Sequence, residues 1–160
     1  MTEADNTSFS TLSYHSRLTT IENLDVHKLS TLVCKFNDQT FGIDHPVVLL
    51  NIPTSNVQAN AMGSKRNDTH RLVVIGLVLN SLRESIRGHQ LAIITPYRNQ
   101  QFWYRCDLLN ATRRKPTIRD KIIAVFTTTI DGFQGGEREV CIVDLTCSDR
   151  IEVYWRERNI

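Results

Sequence analysis

An α/β fold built on a mostly parallel sheet is the class this 160-residue sequence predicts, and three observations carry that expectation. Apolar runs of strand length recur at Val47–Ile52, at Leu91–Thr95, in "KIIAVFT" and in "EVCIVDLT". They are continuous rather than alternating, as strands covered on both faces require. The order strand, helix, strand, helix, strand, short connection, strand is that of right-handed crossovers.

Taking the elements in order, residues 1–12 read as a polar tail and 13–160 as one domain. "HKLSTLVCKF" predicts a short helix, and "NDQTFGIDHP" a turn and loop from its Asn, Asp, Gly and Pro. Val47–Ile52 is the first expected strand, and "PTSNVQANAMGSKRND" a polar loop. Leu72, Ile75, Leu79, Leu82 and Ile86 recur at helical spacing, with Asn67 or Asp68 as cap and Gly88 as stop. After Leu91–Thr95, Thr95 suits an N-cap and Pro96 the first helical position, opening the helix "PYRNQQFWYRCDLLN". "ATRRKPTIRD" reads as a basic loop before the third strand, and "DGFQGGEREV" as a glycine-bearing connection to the fourth.

Hydrophobic content of 41% and charged content of 22% are those of a globular domain that builds its own core. The longest apolar stretches, such as "RLVVIGLVL", fall far short of a membrane span. An acidic, polar start, "MTEADNTSFS", is the reverse of a secretory signal, so the expectation is an intracellular protein, cytoplasmic or nuclear. Cys34, Cys106, Cys141 and Cys147 form no CxxC pair and read as buried free thiols rather than metal ligands. No GxxxxGK[ST] loop, no adjacent acidic pair after a strand and no GxGxxG occur, which removes the usual phosphate and dinucleotide cradles and with them a dehydrogenase reading. None of the five histidines stands in a nucleophile elbow, so no catalytic residue and no metal ligand is expected.

Net charge is only +2, but it is unevenly spread. Between Arg98 and Lys121, seven cations (Arg98, Arg105, Arg113, Arg114, Lys115, Arg119 and Lys121) face two acids (Asp107 and Asp120), an excess of five that suits phosphates or a solvated face. In open parallel sheets ligands bind beyond the carboxyl ends of the strands. Two segments leave such ends. In "ITPYRNQ" first-turn amides favour a phosphate, Tyr97 suits stacking on a base or packing on the sheet, and Arg98, Asn99 and Gln100 bring donors. In "TTIDGFQGGERE", Thr129 and Asp131 lie near a strand terminus, three glycines let backbone approach a ligand, and Gln134 and Glu137 suit a nucleotide's polar edges. Either segment alone is equally an ordinary connection.

Together, "LAIITPYRNQ" followed by "TTIDGFQGGEREVCIVDLT" resembles the second RecA-like domain of superfamily 1B helicases, the branch that includes the nonsense-mediated-decay helicase and senataxin. "SYHSRLTT" resembles the segment that opens this domain, and "GSKRNDTH" its Ser-x-x-Asn stretch, with His70 where the family usually has Glu. The resemblance implies a RecA-like three-layer sandwich, incomplete at its C-terminal end. It implies that Thr95, Tyr97, Gln100, Thr129 and Asp131 meet the sugar-phosphate backbone of a single strand of RNA or DNA, which Arg98 is expected to join through its charge, and that Gln134, Gly135 and Glu137 face a nucleotide. Gly136, commonly basic in the family, and Glu139, commonly Asp, depart from the pattern. ATP and Mg2+ belong to the intact enzyme, whose first RecA-like domain would join this one in cis or in trans. By itself the chain is expected to hold neither tightly and to hydrolyse no ATP, since the phosphate cradle and the arginine of the last helicase motif supply most of phosphoryl transfer. A non-enzymatic interaction module retaining the same fold is the alternative.

Overall fold

A computed structural model describes residues 24–52 and 55–147, with side chains from residue 28 onward. The polar tail, "SYHSRLTT" and residues 148–160 lie outside the described residues. Helix α1 (Leu24–Phe41) has 18 residues, longer than the short helix expected there. It absorbs Asn37–Phe41, assigned from sequence to turn and loop. Gly42, at φ +69°, ends it, its amide donating to Asp38 O at 2.8 Å.

Val47–Ile52 is not a strand, which corrects the first element of the expected rhythm. Val47 is 73% and Leu49 92% exposed, and the Val47 amide donates to the His45 ring at 3.1 Å rather than to a neighbouring strand. The expected polar loop holds an antiparallel hairpin instead, β1 (Val57–Ala59) and β2 (Lys65–Asn67). Its turn is made by Asn60, whose side chain accepts from the amides of Met62 (3.0 Å) and Ser64 (2.9 Å), and by Gly63 at φ +75°.

Helix α2 (Asp68–Arg83) is capped by Asn67, whose side chain accepts from His70 N, as the sequence suggested. Its buried face runs His70, Val74, Val78, Leu82, four residues apart, whereas Leu72 is 71% exposed. Gly88 does not end this helix; it opens the 3-10 turn Gly88–Gln90 that leads into β3 (Leu91–Thr95). Helix α3 (Arg98–Arg114), a 3-10 turn (Pro116–Ile118) and α4 (Arg119–Ile123) follow. Most of "ATRRKPTIRD" is therefore helical, and only the last part of "KIIAVFT" reaches β4 (Phe126–Thr129). After a 3-10 turn at Asp131–Phe133 comes β5 (Val140–Val143).

The sheet is three-stranded and all parallel, in the order β4-β3-β5. Being central, β3 is buried at every residue, while β5 at an edge alternates. Val74, Val78 and Leu82 of α2, Leu91 and Ile93 of β3, and Tyr104 and Leu108 of α3 form the core, each large apolar side chain contributing about 1.5–3 kcal/mol by leaving water. The result is a mixed α/β molecule whose parallel sheet is flanked by helices, consistent with part of a RecA-like fold. A largely apolar cavity of about 480 Å³, lined among others by Val33, Phe36, Leu50 and Ile142, lies between α1, the 46–52 segment, α2 and β5.

Candidate nucleic-acid interface and nucleotide edge

The two candidate segments leave adjacent parallel strands at their carboxyl ends. They are tied together there: Ile130 N, just past β4, donates to Thr95 O at 3.0 Å, and Asp144 N, just past β5, donates to Ile94 O at 2.8 Å. Three strand ends thus converge on one pole of the sheet.

Thr95 and Gln100 lie beneath that pole, fully buried. Thr95 does not cap α3; its hydroxyl pairs with that of Thr146 at 3.0 Å, and the helix begins three residues later with Tyr97 in the N-cap position and no side-chain cap. Gln100 is committed to protein partners: Oε1 accepts from Asn67 N (2.8 Å), and Nε2 reaches Asp144 Oδ2 (2.8 Å) and Asn67 O (3.2 Å). In this arrangement neither residue presents surface to a ligand. The first-turn amide of Asn99, a candidate for phosphate, donates to Ser64 Oγ at 3.1 Å instead.

Sequence reasoning missed the group around which this layer is built. Asp144, only 5% exposed, accepts from Tyr104 Oη (2.6 Å), Gln100 Nε2 (2.8 Å), His70 Nδ1 (2.8 Å) and Thr146 N (2.8 Å). Burial and the Asp144 carboxylate beside it push the Tyr104 hydroxyl far above its ordinary value of 10.0. One signal was present: a lone acid inside the apolar run "VCIVDLT" must find donors if that run is buried.

Above this layer the remaining site residues face outward. Tyr97 and Thr129 are half-buried, while Arg98 and Asp131 are exposed. Burial and the neighbouring Cys147 thiol raise the Tyr97 hydroxyl, and Lys65 Nζ stands 5.8 Å from its ring centroid. Thr129 Oγ1 accepts from Gly132 N at 3.3 Å, closing the turn, and Phe133 anchors it with its ring 6.4 Å from that of Phe126. Gln134, Gly135 and Glu137 form an exposed lip beyond, where φ +75° at Gly135 makes glycine the natural residue.

The basic run from Arg98 to Lys121 does not form one surface. Arg105 donates to Thr127 Oγ1 and O, both at 3.2 Å, and Lys121 Nζ to Leu82 O at 3.4 Å. Since α3 extends for about 25 Å at 1.5 Å per residue, Arg113 and Arg114 stand at the opposite pole from Arg98. Cations from the hairpin take their place: Lys65, and Arg66, whose guanidinium lies 5.0 Å from the Trp103 ring with that of Arg71 at 4.9 Å. None of the four cysteines is buried, contrary to expectation, and all are free thiols.

A family model described as an AAA domain matches residues 1–158, nearly the whole chain. The chain belongs to that family. It is the family of C-terminal domains of superfamily 1 helicases of the nonsense-mediated-decay helicase and senataxin type. Among curated proteins nothing matches the chain. Helicases of this type work on nucleic acid together with a partner domain and use ATP and Mg2+. The lip of this helicase-like domain exposes the Gln134 amide, the Glu137 carboxylate and open glycine backbone. Among the described residues no group of three or more His, Cys, Asp or Glu side chains converges as a metal site. No helix among them is long and apolar enough to cross a membrane.

Proposed function

We propose that this chain is the second RecA-like domain of an ATP-dependent superfamily 1B helicase, spanning residues 13–160 behind a polar tail, and that it works inside the cell on single-stranded RNA or DNA. Tyr97, Arg98, Thr129 and Asp131 line the strand track. Thr95 and Gln100 act from beneath as positioning residues, fixing the β3–α3 junction through Thr146, Asn67 and Asp144. Gln134, Gly135 and Glu137 form one wall of the ATP cleft; the first RecA-like domain, in cis or in trans, forms the other and brings the phosphate cradle and Mg2+. ATP binding and release would close and open that cleft, so that the track grips and lets go in turn.

The single observation that carries this reading is the hydrogen bond from Ile130 N to Thr95 O, which joins the two candidate segments at the carboxyl ends of neighbouring parallel strands. Filter binding with poly-U at two salt concentrations tests it. The expected result is weak retention that falls as salt rises, with no strand-stimulated ATP turnover by the chain alone. Retention absent at both salts would favour an interaction module that keeps the fold and has lost the track. Measurable ATPase from the purified chain would refute the half-site account.

A further inference from the structure

A groove opens beside the pole described above, between the tip of the β1–β2 hairpin and the first turns of α3. Met62, Ser64, Tyr97, Arg98, Asn99 and Phe102 line it. Phe102 is 58% and Met62 93% exposed. Single exposed apolar side chains are ordinary on a protein surface. Here two share one groove with an exposed guanidinium, and that combination has a chemical meaning.

Phe102 is held rather than loose. Its ring meets that of Trp103 edge-on, centroids 5.6 Å apart and planes at 81°. Trp103 is fixed in turn by the Arg66 and Arg71 guanidiniums stacked near its ring. Arg66 is anchored by two bonds to Gln58 Oε1 (2.8 and 3.1 Å) and Arg71 by an ion pair to Asp107 (2.6 Å). The groove's far wall is equally set: Asn99 clamps the hairpin through Ser64 Oγ (3.1 Å) and Ser64 O (3.2 Å). An aromatic face already oriented, beside a cation that follows the backbone, is what binds single strands without sequence preference. A flat nucleobase fits such a slot, whereas a duplex, its bases stacked on one another, offers nothing to Phe102.

We propose that this groove is a base-stacking subsite for single-stranded nucleic acid, with Phe102 as the stacking face, Met62 as the opposite apolar wall and Arg98 as the phosphate contact. The proposal rests on the strand-track reading above and extends the track sideways from the strand ends onto the hairpin. It also gives the β1–β2 hairpin a functional role.

The test is fluorescence anisotropy with a labelled oligo-dT and an abasic oligomer of equal length, using the full chain and checking each variant's fold by circular dichroism. The wild-type chain should bind the oligo-dT about tenfold more tightly than the abasic strand, within the range of one stacked base. Phe102→Ala and Phe102→Leu should each remove most of that difference and leave the salt slope unchanged, and Phe102→Trp should restore it. Arg98→Ala should weaken both strands alike and reduce the salt slope by about one. Full oligo-dT affinity in Phe102→Ala, or an equal loss on both strands, would overturn the subsite while leaving the track standing. A wild-type chain that binds neither strand would overturn both.

Discussion

Asp144 concentrates more of the fold's polar bonding than any residue that sequence patterns singled out. It draws α2 through His70, α3 through Gln100 and Tyr104, and the chain past β5 through Thr146 onto one carboxylate. Thr146 sits at φ +67°, a region that β-branched residues seldom adopt, and is kept there by its bond to Asp144 and by Asn67 Nδ2 donating to its carbonyl at 3.0 Å. Replacing Asp144 with Ala orphans several buried donors at once and should cost about 3 kcal/mol or more in urea unfolding. A loss below about 1 kcal/mol would show that the layer is not cooperative. Tyr104 adds a pH dependence with a defined sign. Its folded-state value lies above the unfolded one, so its contribution is complete below pH 10 and declines as pH rises further, by up to about 1.4 kcal/mol per pH unit, because the unfolded chain ionises first. Unfolding titrations at pH 9, 10 and 11 should show a shallower alkaline decline for Tyr104→Phe than for the wild type; parallel declines would contradict the assignment.

At the level of elements, legibility followed how local each cause was. Asn67 as cap, β3 as a covered strand and the glycine turn after β4 are fixed by a few consecutive residues, and all were readable. Val47–Ile52 was misread because a continuous apolar run says that side chains seek cover, not that a neighbouring strand exists to pair with. The hairpin was missed because β1 and β2 have three residues each and are polar, so pairing rests on the Asn60 turn rather than on hydrophobic pattern. Among the site residues, the meeting of the two candidate segments was legible, since both leave strand ends. The burial of Thr95 and Gln100 was not, because it depends on Asp144, 44 residues from Gln100 in the chain. Gly88 provides a check on packing between elements: a Cβ there would lie 1.8 Å from Lys121 O, where α4 crosses the turn into β3. Gly88→Ala should destabilise by about 2–3 kcal/mol in thermal or urea melts, and a neutral outcome would mean that α4 is not seated on that turn.

For the whole molecule, the sheet order β4-β3-β5 leaves two edges among the described strands. At the end of β5 Val143 is 55% exposed, and just past it Leu145 is 41% exposed. Such an edge invites pairing with another chain, so the isolated chain should associate as concentration rises in size-exclusion chromatography; a sharp monomeric peak at high concentration would mean that the edge is covered. The molecule also has two basic poles that the sequence merged into one run. Arg98 lies with Tyr97 and the β3 and β4 strand ends, and Arg113 and Arg114 lie at the far end of α3. Charge alone does not choose between them, whereas the convergence of aromatic, hydroxyl and guanidinium groups favours the strand-end pole. Photocrosslinking of a 4-thiouridine-substituted single strand to the chain, followed by mass spectrometry of the adducts, tests that choice most directly. Adducts at Tyr97, Phe102 and the Thr129–Asp131 turn are the predicted result. Adducts confined to the Arg113–Lys121 region would contradict it.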